Sequence, residues 1–468
     1  MSDFRALLAR TADHVATYRE AGAEAPVFPD VDMGDVRSAI GGRLPDAPTS
    51  ASEVIEQLVG AIEPAMVTTT GPRYFGFVIG GALDAPTAAD VLAVGWDQPA
   101  YNNLSSPAAA LVEEVAGAWL AELFGLPARV SFGFVTGGQA ANTVCLCAAR
   151  HKVLADAGWD VERDGLTGGP AVRVVANEER HATIDRSLRV LGLGNRSLEP
   201  VPADSNGAID VAALRRVLAA KTPGPTIVCL QAGNVNTGAC DDLVGGVAAA
   251  HEHAAWAHVD GAFGLWAAVS PQTRHLVAGL ETADSWGTDG HKWLNVPYDC
   301  GYAFCAHPEA HAAAMAYTAS YLVGASPAAL RVPGDYVLES SRRARGFATW
   351  AALRELGRQG VASLVERCCA LARRFASELG ATEGITVLND VVLNQVLVRF
   401  GDDDAITDRV IEAVQRSGEC WMGSTTWHGQ RLMRISVSSW RTTEADVDRS
   451  VRAVLAAAAA QGLAMEAP

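Results

Sequence analysis

Positive charge is scarce in this sequence. Its 468 residues include 37 Lys and Arg against 53 Asp and Glu, so the formal net charge is −16 and the isoelectric point lies near 5.1. Nucleic acids and anionic membrane surfaces are bound through basic patches. The composition therefore argues against both as partners.

Long hydrophobic runs and metal-type cysteine spacings are also missing. No run of about 18 apolar residues occurs, and the first residues, MSDFR, do not lead into the apolar region of a secretion signal. The nine cysteines are scattered without a CxxC pattern, and their odd number suits free thiols in a reducing compartment. We therefore expect a cytoplasmic protein without a metal site, in which Cys145, Cys147, Cys368 and Cys369 are buried helix residues.

What is present indicates a large, well-buried α/β protein. Hydrophobic residues make up 49% of the chain, which contains 45 glycines and exceeds the length of a single small core. Proline breaks and a low apolar content suggest that residues 1–70 form helices that lie on something else. We expect a large domain over residues 71–346, and a helix, strand, helix, strand, helix pattern predicts a small α+β domain over residues 347–468.

Two short stretches carry the chemistry. Residues 285–295, SWGTDGHKWLN, place Lys292 after a short strand, and residues 257–262, AHVDGA, place Asp260 at the end of another strand. A desolvated lysine amine can form a Schiff base, and a carboxylate can hold a protonated pyridine nitrogen. Alone, such a lysine is commonly a surface residue and such an aspartate a cap. Together they predict a site for pyridoxal 5'-phosphate (PLP).

The same stretches resemble a known family. Residues 258–262, 289–293 and 295–300 (NVPYDC) are similar to the signature of the group II PLP-dependent amino-acid decarboxylases, which act on aromatic amino acids, glutamate and histidine. Collinear motifs extend the resemblance over residues 71–350. It implies an α/β, aspartate-aminotransferase-like fold (fold type I) with a mostly parallel seven-stranded sheet. It also implies a homodimer in which the N-terminal segment packs across the partner.

The resemblance assigns roles around the cofactor. In residues 136–142, TGGQAAN, small residues begin a helix whose N–H groups suit a phosphate, although a Gly-Gly helix start is more commonly a tight turn. Lys292 holds the cofactor and Asp260 keeps its ring nitrogen protonated. Asn234 stands where many members have threonine. The implied cofactor residues are Gly137, Gly138, Gln139, His181 (stacked on the ring), Asn234, Asp260, Ala262, Asp289, His291 and Lys292.

Aromatic residues in two Gly/Pro-rich loops are candidates for the substrate pocket. Residues 71–77 are GPRYFGF and residues 96–103 are WDQPAYNN. Rings in such loops either line a concave site or fill the space between loop and core. The resemblance places Tyr74, Phe75, Phe77 and Tyr101 at the substrate, with Tyr101 offered across the dimer interface. A pocket lined by rings suits an aromatic amino acid.

Tyr321 is the candidate proton donor. The chain between residues 317 and 339 shows no helix or strand pattern, and loops of this length are commonly functional. Tyr321 lies 29 residues after Lys292, at the spacing of the loop tyrosine that protonates the carbon after CO2 is lost in the resembled enzymes. It could equally be an ordinary loop residue. We predict decarboxylation of an aromatic L-amino acid to the amine and CO2.

Four alternatives stay open. An aromatic aldehyde synthase typically has phenylalanine in place of the loop tyrosine, so Tyr321 favours the amine. An acidic amino-acid decarboxylase should require cationic pocket residues, whereas this sequence offers aromatics and amides. An aminotransferase is disfavoured by the Gly-Ala-Phe that follows Asp260. An inactive PLP-binding paralogue is disfavoured because no cofactor residue is missing.

Overall fold

The chain forms two compact units. The computed structural model describes residues 4–220, 224–317 and 331–463. The first unit comprises Met1–Ile79, Arg373–Leu388 and Val396–Pro468, and the second comprises Gly80–Ala372 and Asn389–Gln395. The division into three domains at residues 70 and 346 stays a prediction.

The first unit begins with three helices. The third helix begins after a capping serine, since the Glu53 N–H donates to Ser50 Oγ at 3.3 Å. Such a side-chain acceptor satisfies an amide that has no partner inside the helix. The helices are α1 (Phe4–Ala21), α2 (Met33–Ile40) and α3 (Ala51–Ile62).

The second unit alternates helices and strands. Its elements in chain order are α4 (Asp84–Trp96), α5 (Pro107–Phe124), β1 (Ser131–Val135), α6 (Gly138–Asp156), α7 (Val161–Asp164), β2 (Arg173–Asn177), α8 (Ala182–Val190), β3 (Leu198–Val201), α9 (Val211–Ala219), β4 (Thr226–Gln231), α10 (Leu243–Glu252), β5 (Trp256–Asp260), β6 (Ser285–Asp289), β7 (Gly301–Cys305), α11 (Pro308–Met315) and α12 (Gly346–Gly380). The last helix is interrupted at Gly357, whose φ of 58° is left-handed, and its residues from Arg373 onward belong to the first unit.

Seven strands form one mostly parallel sheet, as predicted. Their order is β1-β7-β6-β5-β4-β2-β3. The pairs from β6 to β3 are parallel, and β7 runs antiparallel to both of its neighbours. Strands β4, β5 and β6 are buried along their whole length, as expected where helices cover both faces of a sheet. The four cysteines expected in helices are free and buried in α6 and α12.

Strand β1 was not predicted from the sequence. Its glycine, Gly133, weakens a strand pattern. The structure gives the reason for it, because a Cβ at this position would lie 2.3 Å from the Tyr336 carbonyl oxygen. A contact with a residue two hundred positions away in the chain thus explains why this strand contains a glycine.

The remaining elements include a second, four-stranded sheet in the order β10-β11-β9-β8. The predicted alternation of helices and strands is present, while β8 and β10 were not predicted. The final helix begins with a capping box formed by Thr443 and Asp446. These elements are β8 (Ile385–Val387), β9 (Gln395–Phe400), α13 (Asp404–Ser417), β10 (Gly423–Trp427), β11 (Gln430–Ser436) and α14 (Glu444–Ala460).

Candidate active site

Polar residues follow the carboxyl ends of the strands in the second unit. Asp260 ends β5 and Asp289 ends β6, and these two strands are parallel neighbours. Gly137 lies two residues after the end of β1, and Asn234 follows β4. Carboxyl ends of parallel strands meet at one edge of a sheet, where α/β proteins bind ligands. The sheet therefore explains why residues far apart in sequence lie together.

Asp289 contacts three polar groups near Lys292 at this edge of the sheet. Its side chain is 4% exposed. Its Oδ2 lies 2.8 Å from Lys292 Nζ, and its Oδ1 accepts from the Gly138 N–H at the start of α6. His291 Nε2 lies 3.3 Å from the same Oδ1. One carboxylate therefore ties the lysine amine to the positive end of a helix dipole.

The protonation of His291 follows from its neighbours. The Cys300 N–H donates to Nδ1 at 3.1 Å, so the ring proton is on Nε2 and is donated to Asp289. Burial lowers the pKa of His291, which favours the neutral ring. The imidazole also stacks on Tyr298, with ring centroids 4.2 Å apart. His291 thus fixes the carboxylate that holds Lys292.

The backbone around Lys292 is held tightly while its amine stays accessible. A Cβ on Gly80 would lie 1.8 Å from the Lys292 carbonyl oxygen, so only glycine fits there. Asn295, at a φ of 54°, donates from Nδ2 to the carbonyls of Lys292 (3.2 Å) and Trp293 (3.0 Å). The Lys292 side chain is 21% exposed. The turn therefore presents the amine without enclosing it.

Asp260 is a buried carboxylate with few donors. It is 6% exposed, and its Oδ1 accepts from the Ala262 N–H at 3.2 Å. Burial raises the pKa of Asp260, and this effect is opposed by the charges of His181 and Lys292 and by a side-chain hydrogen bond from Asn142. A carboxylate in such a place is stabilised by an adjacent cation.

Two glycines let the start of α6 approach Asp289. A Cβ on Gly137 would lie 2.9 Å from His291 Cε1, and a Cβ on Gly138 would lie 2.8 Å from Asp289 Oδ2 and 3.5 Å from the Ala262 Cβ. The helix start therefore offers backbone N–H groups in a narrow space, as anion sites do. The Gln139 side chain does not belong to it, because its Nε2 donates to Ser187 Oγ at 2.9 Å on α8.

His181 and Asn234 lie at the same edge of the sheet but differ in exposure and in their hydrogen-bond partners. His181 precedes α8, where its Nδ1 accepts from the Thr183 N–H at 3.3 Å, and its ring is exposed. Asn234 is fully buried. Its Oδ1 accepts from the Asn236 N–H at 2.9 Å, and its Nδ2 donates to Glu179 Oε2 at 3.1 Å. Asn234 therefore shapes its own loop, whereas His181 faces outward.

The predicted pocket aromatics are divided between the two units. In the first unit, Tyr74 stacks on Trp421 at 5.0 Å, and Phe77 stacks on the same ring at 5.5 Å. Phe75 is 1% exposed and packs edge-on against Phe375, so it is a core residue of that unit.

In the second unit, the Tyr101 hydroxyl lies 2.8 Å from the Tyr317 hydroxyl, which lies 2.7 Å from Ser340 Oγ. Tyr101 is thus hydrogen-bonded to the residue that precedes the undescribed stretch. Tyr321 itself lies outside the described residues.

Three site residues were missed by the sequence analysis. Asn142, His258 and Asn295 stand inside the quoted motifs, but no role was assigned to them. All are at most 1% exposed, and His258 Nε2 lies 3.2 Å from Asn142 Oδ1. The available signal was a histidine in the middle of an otherwise apolar strand, because a buried polar side chain requires a partner.

The edge of the sheet fits PLP. Lys292 offers an amine to an aldehyde, Asp260 is a buried carboxylate that lacks a strong cationic partner, and the α6 start offers N–H groups to a phosphate. Within the described ranges, no group of three His, Cys, Asp or Glu side chains could hold a metal ion. No helix among those residues combines the length and hydropathy needed to cross a membrane.

Comparisons with known proteins agree with this site. The sequence model of the pyridoxal-dependent decarboxylase conserved domain matches residues 34–400. Tyrosine decarboxylase 1 of Narcissus pseudonarcissus is 26% identical, over 96% of this chain and 91% of that protein. Phenylacetaldehyde synthase of a Rosa hybrid cultivar is 23% identical, over 92% and 89%. The crystal structure of Oryza sativa TDC with PLP and tryptamine shares the fold, with a TM-score of 0.90 and 22% identity over 98% of both chains.

Proposed function

Because the chain belongs to the pyridoxal-dependent decarboxylase family, we propose that this PLP-dependent amino-acid decarboxylase acts on aromatic L-amino acids and releases the amine and CO2. The observation that carries the proposal is the Lys292 amine held 2.8 Å from Asp289 at the sheet edge that also bears Asp260. Relatives described as tyrosine and tryptophan decarboxylases support the aromatic substrate class.

The roles of the residues follow from their surroundings. PLP, when bound, supplies an aldehyde for amino groups and a cationic ring that accepts the electrons of a broken Cα–carboxyl bond. Lys292 holds the cofactor through its amine and yields to the substrate amine, while Asp289 and His291 keep that amine in place. Asp260 faces the ring nitrogen as a carboxylate and keeps its proton there.

Three further groups complete the proposal. The backbone N–H groups of Gly137, Gly138 and Gln139 bind the phosphate at the positive end of α6, for which the Gly138 N–H leaves Asp289. His181 lies against the ring from the start of α8. Tyr321 donates its hydroxyl proton to the substrate Cα after CO2 has left, so that the amine is released.

A screen for CO2 release tests the substrate class. The holoenzyme is incubated with each of the common amino acids and with hydroxylated aromatic ones. We expect the highest kcat/KM with an aromatic substrate. Release of CO2 from glutamate or aspartate alone would overturn the aromatic assignment, and binding of the cofactor without CO2 release from any amino acid would indicate an inactive PLP-binding paralogue.

Product analysis separates the amine from the aldehyde pathway. An aldehyde synthase occurs among the relatives, and its product would be accompanied by ammonia and hydrogen peroxide. We expect the wild type to give amine without peroxide, because Tyr321 supplies the proton before O2 reacts. Tyr321→Phe should move part of the product to the aldehyde. Stoichiometric peroxide from the wild type would reverse our choice.

We propose that the working form is a cytoplasmic homodimer. Support comes from apolar side chains exposed in the N-terminal part of the first unit: Phe4 (67%), Met33 (62%), Ile40 (56%) and Leu44 (92%). Surfaces of this kind in soluble proteins commonly mark association sites. Sedimentation should give twice the 49.0 kDa chain mass, and cell fractionation should find the protein in the soluble cytoplasmic fraction. A monomer at micromolar concentration would refute the dimer.

A further inference from the structure

A chain of hydrogen bonds lies buried beneath Asp260. It joins the indole of Trp256, the hydroxyl of Ser285, the imidazole of His258 and the amide of Asn142. The four residues are at most 4% exposed and all belong to the second unit. Burying a polar group costs free energy unless the group has a hydrogen-bond partner. The donor and acceptor in each of these hydrogen bonds therefore have to be identified.

The direction is fixed from one end. The indole Nε1–H can only donate, and it donates to Ser285 Oγ at 2.9 Å. The Ser285 hydroxyl proton is then free to go to His258 Nδ1, at 3.0 Å. Burial lowers the pKa of His258 to about 3, so the ring is neutral. With Nδ1 accepting the Ser285 proton, the single proton of the ring is on Nε2, which donates to Asn142 Oδ1 at 3.2 Å.

The Asn142 amide is therefore oriented with its oxygen toward His258. Its NH2 group is left for the other side, where Nδ2 lies 3.4 Å from Thr183 Oγ1 and where hydrogen bonding from this amide lowers the pKa of the buried Asp260 carboxyl. The Thr183 hydroxyl lies 2.9 Å from His181 Nδ1. One amide group is thus connected to both side chains that we propose to contact the cofactor ring.

A glycine makes room for this amide. Gly287 pairs with Asp260 across strands β5 and β6. A Cβ on Gly287 would lie 2.5 Å from Asn142 Oδ1 and 3.4 Å from the Ala141 Cβ. A side chain at residue 287 would therefore displace the Asn142 amide oxygen from its place beside His258.

We propose that Asn142 is a positioning residue that keeps Asp260 in its ionised form opposite the cofactor ring nitrogen, with Trp256, Ser285 and His258 fixing the orientation of its amide. The inference rests on the proposed function, because it concerns the role of Asp260. A hydrogen bond to a carboxylate favours its charged form. Without it, a buried pyridinium–carboxylate pair would become a neutral pair as the proton moves from the ring to Asp260.

The ring nitrogen itself supplies the measurement. Protein loaded with PLP that carries 15N in its ring is studied by NMR, since a protonated and a neutral pyridine nitrogen resonate at well separated positions. We expect the wild type at the protonated position. Asn142→Leu, which keeps the branching at Cγ and removes the donors, should move the resonance toward the neutral position. Ser285→Ala should move it in the same direction by less, because His258 loses the group that sets its tautomer.

Two further variants make the result decisive. Asn177→Leu removes another amide that is 1% exposed, at the end of β2, where it donates to the Gly207 carbonyl. It should lower stability and leave the ring resonance unchanged. Asp260→Asn should move the resonance to the neutral position. If it does so while Asn142→Leu and Ser285→Ala do not, the inference is wrong and the proposed role of Asp260 stands.

If Asp260→Asn has no effect, that role fails, and the inference fails with it. Should Asn142→Leu not fold, Ser285→Ala decides in the same way. An equal shift in Asn177→Leu would show a general loosening of the site and would overturn the specific role of Asn142.

Discussion

Two aspartates end neighbouring strands of one sheet and differ in their partners. Asp289 ends β6 and receives a backbone N–H, an imidazole N–H and the Lys292 ammonium. Asp260 ends β5 and receives the Ala262 N–H and the Asn142 amide. Both are almost fully buried, with 3% and 6% of their surface exposed. The same residue type at the same edge thus lies in two electrostatic environments.

The difference shows which charges the chain balances by itself. Asp289 forms a direct ion pair with Lys292, so the fold provides its counter-charge. Asp260 has neutral donors in contact and cations only nearby, and burial raises the pKa of this carboxyl. A buried carboxylate with no cation in contact strongly stabilises a cation that binds next to it. The protonated ring nitrogen of the cofactor is such a cation. The comparison therefore separates residues that hold the lysine from residues that tune the cofactor.

The largest effect should come from Lys292→Ala. This change removes the amine that holds the cofactor, so CO2 release should fall by roughly 10³-fold or more, which is about 4 kcal/mol of transition-state stabilisation. Borohydride reduction followed by mass spectrometry checks the cause: the wild type should gain a covalent adduct at Lys292 and the variant none. Lys152→Ala, on an exposed ion pair with Asp156, is the control. An adduct of equal yield elsewhere in the Lys292 variant would refute the assignment.

Asp260→Asn should have the next largest effect. The amide keeps the size of the side chain and removes the charge that stabilises a cationic ring, so we expect kcat to fall by roughly 10²-fold to 10³-fold, or about 3 to 4 kcal/mol. Asp260→Glu keeps the charge and should lose less. Steady-state kinetics of both variants checks this. Equal losses would mean that the geometry of the side chain matters and its charge does not.

A third buried aspartate in the same unit makes it possible to measure the effect of burial on a carboxyl pKa apart from the effect of nearby cations. Asp241 accepts N–H groups from Gln231 and Ile209, both at 2.8 Å, and from Asn177 at 3.3 Å, all of them neutral. Burial raises the pKa of Asp241 to about 7, against the effect of these hydrogen bonds. The folded protein therefore binds more protons than the unfolded chain between the ordinary carboxyl pKa and about 7.

Stability should consequently fall as the pH rises through that window and level off above it. From about pH 5 to about pH 8 we expect the free energy of unfolding of the cofactor-free protein to lose about 2 to 3 kcal/mol through this group. Urea unfolding at both pH values measures the loss, and Asp241→Asn should remove it from the pH dependence. An unchanged slope in the variant would contradict the argument.

The sequence was sufficient to predict the fold and the chemistry. The family, the cofactor and the mostly parallel seven-stranded sheet are confirmed. The family and the cofactor depend on short motifs, which are local features, and the seven-stranded sheet was expected because the resemblance carried by those motifs implies it. Lys292 and Asp260 could be found because each stands at a strand end, where a parallel sheet gathers its polar residues.

The orientation of side chains could not be predicted, because it depends on distant residues. Gln139 donates to α8, and Asn234 folds back on its own loop. The position of Asn142 depends on Gly287, which no local pattern connects to it. Phe75 is a core residue, and no periodicity in a Gly/Pro-rich loop distinguishes a core ring from a pocket ring. The roles assigned to the site residues stay predictions.

The smallest expected effect returns to the Asp289–Lys292 pair. Asp289→Asn leaves a partly buried ammonium beside a neutral amide, so the free energy of unfolding of the cofactor-free protein should fall by about 1 to 2 kcal/mol. Asp156→Asn makes the same change at the exposed Lys152–Asp156 pair, where the side chains are 39% and 61% exposed. There the cost should stay below about 0.5 kcal/mol. Urea unfolding of both variants at one pH makes the comparison. Equal losses would mean that Asp289 contributes no more than a surface ion pair, and that Gly138 and His291 hold this edge of the sheet without its charge.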